Sequence, residues 1–168
     1  MNNCLLCHSS FRREINYEKL FLFIKYKERY TCSECLKKFV KKKGKICSGC
    51  NKEINTEGLC NDCLQWKRKY AGNLLDNRSL YQYNDTFHDV MVQYKRYGDY
   101  ILCHVLAELI DQLPAADYYV PVPSSPSHLE KRGFDTVCAI YQKLVPLTKL
   151  LVKSDTEKAQ GEKNREER

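Results

Sequence analysis

Residues 32–63 read CSECLKKFVKKKGKICSGCNKEINTEGLCNDC. Three Cys-x-x-Cys pairs fall inside this stretch, Cys32/Cys35, Cys47/Cys50 and Cys60/Cys63, and a fourth, Cys4/Cys7, lies upstream. A Cys-x-x-Cys turn puts two thiolates on one side of a tight knuckle, about right for two corners of a zinc tetrahedron. Two knuckles complete a Cys4 site. One such pair is weak evidence. Four similar pairs, two of them running on into CSECLKKF and CNDCLQW, argue for structural zinc. The rival, a redox pair, needs one reactive thiol beside a helix N-terminus rather than four alike.

Eight ligands make two sites. The shorter loops favour Cys4, Cys7, Cys32 and Cys35 for one Zn2+ and Cys47, Cys50, Cys60 and Cys63 for the other. An interleaved pairing stays open. Protein fills every position of both sites, so neither leaves room for a reacting water, and both zincs are expected to hold the fold. His8 is a bystander to complete cysteine sets. Cys103 and Cys138 stand in apolar, helix-like surroundings and are expected to be buried small hydrophobes.

Ten cysteines in 168 residues is heavy usage. The N-terminus shows no basic region leading into an apolar run, and no apolar stretch approaches the ~18 residues of a membrane span. The expected setting is therefore the reducing cytoplasm, where dense cysteine reads as metal binding. Net charge is +7, unevenly placed. Residues 1–70 hold 16 Lys+Arg against 7 Asp+Glu; residues 71–168 hold 12 against 14. Two Cys4 zinc sites lower the +9 of the first part to about +5. A basic module beside a near-neutral domain suggests an anionic partner, nucleic acid by default. The densest run is Lys37, Lys38, Lys41, Lys42, Lys43 and Lys45, either a solvated flank or a phosphate-backbone patch. Phe39, Trp66 and Tyr70 nearby suit either base stacking or a small core.

Past Tyr70 the pattern changes. Ser79–Tyr83 alternates as a strand. Asn84 or Asp85 caps a helix to about Tyr94, with Phe87, Val90, Met91 and Tyr94 on one face. A second helix carries Ile101, Leu102, Val105, Leu106, Leu109, Ile110 and Leu113, ended by Pro114. Then a strand at 118–123, a loop at 124–132, a helix from Gly133 to about Val145 and a strand at 147–152 form one βαβ unit of a parallel sheet. Ligands of such sheets sit at the carboxyl ends of strands. That places Pro123, Ser124, Ser125, Lys131, Arg132 and Gly133 where an anion would bind, beside a helix N-terminus; the alternative is an ordinary surface turn.

Together these residues resemble the ComF family of late competence proteins, in which a double zinc ribbon precedes a type I phosphoribosyltransferase domain. The matching stretches are the four knuckles, QYKRYGDYILCHVLAEL, YVPVPSSPSHLEKRGFD and TEKAQGEKNREER. The resemblance implies an α/β fold, with residues 1–70 as the double ribbon and 71–168 as the phosphoribosyltransferase-like domain. It implies that 124–133 hold pyrophosphate and that the segment of Lys158, Gln160 and Arg165 is a hood loop closing over substrate. Lys158, with Lys131 and Arg132, would then face the departing pyrophosphate beside Mg2+ of a Mg2+-phosphoribosyl pyrophosphate ligand.

The family's own phosphate loop, two adjacent acids and a Thr/Gly-rich turn, has no counterpart here. The chain is therefore expected to be an incomplete copy of a longer protein, with transferase activity an open question. Three functions follow from the resemblance. The first is handling of incoming single-stranded DNA in the cytoplasm beside a helicase-like competence protein. The others are a metabolic, amidophosphoribosyltransferase-like enzyme with a zinc appendage, and a non-catalytic zinc-ribbon adaptor.

Overall fold

The computed structural model of the chain describes residues 2–12, 28–73 and 75–155. The chain divides into two compact units, Ser33–Asp89 and the pair of segments Met1–Cys32 and Val90–Arg168.

In the unit of 33–89, helix α1 (Ser33–Lys37) follows Cys32 directly and buries Cys35. Helix α2 (Asn61–Lys69) is capped by Cys60, whose sulfur accepts from the Cys63 amide, and Cys63 is its one buried residue. The expected strand at 79–83 is present as an antiparallel bridge, Lys41 to Tyr81. Lys42 N–H donates to the Leu80 carbonyl at 3.0 Å and Gln82 N–H to that of Val40 at 2.9 Å. Phe39 is buried and meets Phe87 edge-on at 5.9 Å. Helix α3 (Asp85–Arg96) starts where Asn84 Oδ1 accepts the Phe87 amide at 3.0 Å. A side-chain oxygen there satisfies one of the four orphan donors of the first turn.

In the other unit, strands β1 (Asn2–Asn3) and β2 (Ser10–Phe11) pair antiparallel around the first knuckle. Tyr94, near the end of α3, is fully buried. Its hydroxyl donates to the Thr136 carbonyl at 2.7 Å. Its ring lies 5.4 Å from Phe134, which in turn meets Tyr100 at 5.0 Å. Helix α4 (Leu102–Glu108) buries Leu102, Cys103, Val105 and Leu106. The apolar period suggested a helix to Leu113. Instead Ile110 N–H turns back to the Ala107 carbonyl at 3.2 Å, a tight three-residue closure that ends the helix early.

The parallel pairing expected between 118–123 and 147–152 appears as a bridge from Tyr119 to Leu147. Thr148 N–H reaches the Tyr119 carbonyl at 2.9 Å. Two helices connect them rather than a loop and one helix: α5 (Pro126–Arg132) and α6 (Thr136–Tyr141), the latter packed on α4. The stretch read as a loop holds α5 because Pro126 occupies its first turn, where a missing N–H costs nothing. Gly133, read as a helix start, has φ 79° and ends α5, a left-handed cap that glycine adopts without strain. Cys103 is buried as expected, and Cys138 is half-buried. Among the described residues no helix is long and apolar enough to cross a membrane.

Candidate metal centres

The eight knuckle cysteines gather into two clusters, Cys4, Cys7, Cys32 and Cys35, and Cys47, Cys50, Cys60 and Cys63. This is the sequential pairing. In each cluster the four sulfurs lie within 4.8 Å of one another. Cys7 and Cys32 sulfurs are 3.7 Å apart and those of Cys50 and Cys60 3.6 Å. A tetrahedral ion with metal–sulfur bonds of ~2.3 Å needs sulfur separations of about 3.8 Å. All-thiolate tetrahedra of this size suit zinc. Such an ion would supply charge neutralisation and cross-linking, with each position taken by protein.

Both clusters are built to one template. The first knuckle of each closes with an amide of the residue after it, His8 N–H to Cys4 carbonyl (2.8 Å) and Asn51 N–H to Cys47 carbonyl (3.0 Å). Those two residues have φ of 60° and 55°, a region where Asn and His are enriched among non-glycines. Cys4 and Cys47 N–H then each donate to the carbonyl five residues on, Ser9 at 2.9 Å and Lys52 at 2.8 Å. The second knuckle of each opens a helix, α1 or α2. His8 is thus a turn residue outside the ligand set.

The thiols of the second cluster differ in basicity. Cys47 is lowered to about 6 by amide hydrogen bonds from Cys50 and Cys60, whereas burial pushes Cys63 up. Four crowded thiols favour at most partial ionisation; a divalent cation is what permits all four to deprotonate. Gly49 sits inside this cluster. A Cβ there would stand 3.1 Å from Leu59 Cδ2 and 3.2 Å from Cys63 Sγ.

The first cluster has a different support. The Glu108 side chain, only 6% exposed, ends α4 beside residues 29–31. Its Oε2 accepts from Tyr30 N–H (2.9 Å), Thr31 N–H (3.1 Å) and Thr31 Oγ1 (2.9 Å). Its Oε1 pairs with Arg29 Nε at 3.5 Å. The Tyr30 carbonyl accepts Leu5 N–H at 2.9 Å, and the Tyr30 ring stacks on His104 of α4 at 4.6 Å. Glu108 therefore anchors the extended segment that leads into Cys32 and touches the Cys4/Cys7 knuckle.

The lysine run is less uniform than its composition suggests. Lys42 Nζ donates to the Asn51 carbonyl and to Ser79 Oγ, both at 2.7 Å, and so is structural. Lys37 pairs with Glu34 at 2.8 Å, and Lys45 lies 3.9 Å from Glu57. Lys41 stands over the Tyr81 ring. Lys38 and Lys43 are exposed. Of the three aromatics proposed for stacking, Phe39 is in the core, whereas Trp66 and Tyr70 are about half exposed.

The 124–133 stretch turns on two carboxylates that sequence reasoning missed. Asp135 caps α6 by accepting Val137 N–H (3.0 Å) and Cys138 N–H (2.9 Å), and reaches back to Ser124 N–H (2.7 Å). Burial alone would raise its pKa, but the amides of Cys138 and Ser124 outweigh that and hold it low. Asp155 accepts from the Ser127 amide and hydroxyl, which lower its pKa in turn. Ser125 is buried and bonds His128 Nδ1 at 3.0 Å. Arg132 spans the stretch, from the His128 carbonyl (3.1 Å) to Ser124 Oγ (3.3 Å). Lys95 of α3 joins this cationic side; burial, then Arg132, lower its pKa. Lys131 and Gly133 are exposed at the end of α5. Lys158, Gln160 and Arg165 lie outside the described residues.

No protein-family model matches the chain, and no solved structure matches it. It is 31% identical over 140 residues to the competence protein ComFC of Bacillus subtilis, which covers 79% of this chain and 58% of that protein. It is 29% identical over 169 aligned positions to the competence protein ComFC of Streptococcus pneumoniae, covering 98% of this chain and 74% of that protein. The match to the Bacillus relative thus spans little more than half of that protein's length.

Proposed function

Because the chain belongs to the ComF family of competence proteins, we propose that it handles single-stranded DNA during natural transformation. On this reading residues 1–70 form the double zinc ribbon, with two structural Zn2+. Residues 71–168 form the phosphoribosyltransferase-like part, working in the cytoplasm beside a helicase-like competence protein. The observation that carries it is a likeness to a ComFC protein over 98% of the chain, which takes in both cysteine clusters and the 124–135 stretch.

In the second part, Ser124, Ser125, Lys131, Arg132 and Gly133 would hold the phosphates of a phosphoribosyl ligand, with Lys158 reaching the leaving group. The cations Arg132 and Lys95 support this. The Ser127 amide is held by the Asp155 carboxylate, so a bound phosphate would take that carboxylate's place. An acceptor base is outside this proposal.

The test is titration of the zinc-loaded chain with a fluorescent single-stranded oligonucleotide at several salt concentrations. Neutralising Lys38, Lys41 and Lys43 to Gln, and sparing the structural Lys42, should weaken binding and reduce the logarithmic salt slope by about 2. Equal binding by the triple variant removes the patch. Failure of the chain to bind any oligonucleotide removes the DNA reading and favours the adaptor. Calorimetry with Mg2+-phosphoribosyl pyrophosphate, compared with Arg132→Gln, tests the second half.

A further inference from the structure

Helix α2 is oddly placed for a helix in a small module. Its one buried residue is Cys63, and its cap is Cys60. Every residue from Leu64 to Tyr70 is exposed, including Trp66 (50%) and Tyr70 (48%). An aromatic that follows a second knuckle is buried in the first cluster, where Phe39 fills the core, so burial is within reach of this template. Trp66 and Tyr70 instead stack on each other, 5.3 Å apart with 9° between ring planes. The Lys69 ammonium lies over both, at 5.3 and 5.6 Å from the centroids. Lys67 and Arg68 complete a basic last turn.

From these residues we infer that α2 is a base-stacking platform for single-stranded nucleic acid, held in place by the metal of the second cluster. The inference rests on the nucleic-acid reading above and gives it a second, separate contact surface. Flat aromatic faces accept any unpaired base, and cations flanking them meet the phosphates between bases. The same charge disfavours a basic or apolar protein partner and leaves a duplex, whose bases are already stacked, without a use for the rings. The helix is fastened to the rest of its unit by Cys60 and Cys63, with one exposed ion pair from Asp62 to Lys52 at 3.5 Å, so loss of a metal from this cluster should loosen the platform.

Trp66 is the only tryptophan in the chain, so its fluorescence reports on the platform directly. The full zinc-loaded chain is titrated with oligothymidylate, with an abasic strand of the same length and with a duplex. Oligothymidylate should quench Trp66 and bind more tightly than the abasic strand; the duplex should leave the emission unchanged. Trp66→Ala and Tyr70→Ala should weaken oligothymidylate binding roughly five- to a hundred-fold and leave abasic binding unaltered. Trp66→Phe should restore most of the affinity. Two metals per chain in each variant would show that the fold is intact. Equal binding of abasic and base-bearing strands by the wild type, or wild-type affinity in Trp66→Ala, overturns the platform while the phosphate patch stands. Absence of all binding overturns both.

Discussion

Replacing Glu108 by alanine should unfasten the segment leading into Cys32 without unfolding α4. Alanine is the better helix former, so a loss cannot be assigned to the helix. The carboxylate accepts from two backbone amides and a buried hydroxyl and pairs with Arg29. Thr31 is fully buried, so its donors have no ready access to water once the acceptor is gone. Removing one partner of a buried charged network costs about 3–5 kcal/mol. Glu108→Gln keeps an acceptor oxygen and should cost only about 1–2 kcal/mol.

The assay is native-state hydrogen exchange of the metal-loaded protein, because it reads opening locally. Exchange of the Tyr30 and Thr31 amides should accelerate by about two to three and a half decades in Glu108→Ala. Exchange in α2 should be unchanged. Since Tyr30 also accepts from Leu5, chelators should strip the first cluster faster than the second in this variant. If the two amides keep their protection in Glu108→Ala, the anchoring role assigned to Glu108 is wrong.

Gly49→Ala places a methyl 3.2 Å from a ligand sulfur. Leu59 can shift, but Cys63 cannot without distorting the tetrahedron. Metal affinity of the second cluster should fall roughly ten-fold in a chelator competition, the first cluster keeping its own. For Asp135, amide bonds outweigh burial and depress the folded pKa below its ordinary 3.8. Its contribution is fully present above that value and is lost as pH falls through the depressed one. Asp135→Asn, which still caps a helix, should flatten the acid limb of stability below about pH 4, measured by urea unfolding; an unchanged limb would remove Asp135 from it.

The two cysteine clusters were legible because Cys-x-x-Cys spacing encodes a local turn, and loop length alone favours the grouping found. Helix α3 was legible from Asn84 and its apolar face. The 124–135 stretch was not. Ser-Pro-Ser reads equally as a turn and as a helix entrance, and Gly133 equally as a start and as an end. Only the φ of Gly133 and the capping bonds of Asp135 separate these readings. Glu108 resembled one more surface acid on an amphipathic helix, since its partners lie 77 and 78 residues away in sequence. Lys42 looked like its neighbours in the lysine run for the same reason. Spacing shows which side chains share a turn; it carries no record of partners brought in from distant sequence.

The shared template of the two clusters bears on how the chain assembles. Knuckles of similar geometry present similar ligands to a metal ion, so a newly made chain could capture one between the wrong halves. Nine residues separate Cys50 from Cys60, against twenty-four between Cys7 and Cys32. The shorter closure is favoured by about 0.9 kcal/mol. On loop closure alone the second cluster is expected to form first and so to withdraw its knuckles from competition. The first cluster would then have one pairing left, with Glu108 of α4 fastening the segment that leads into it.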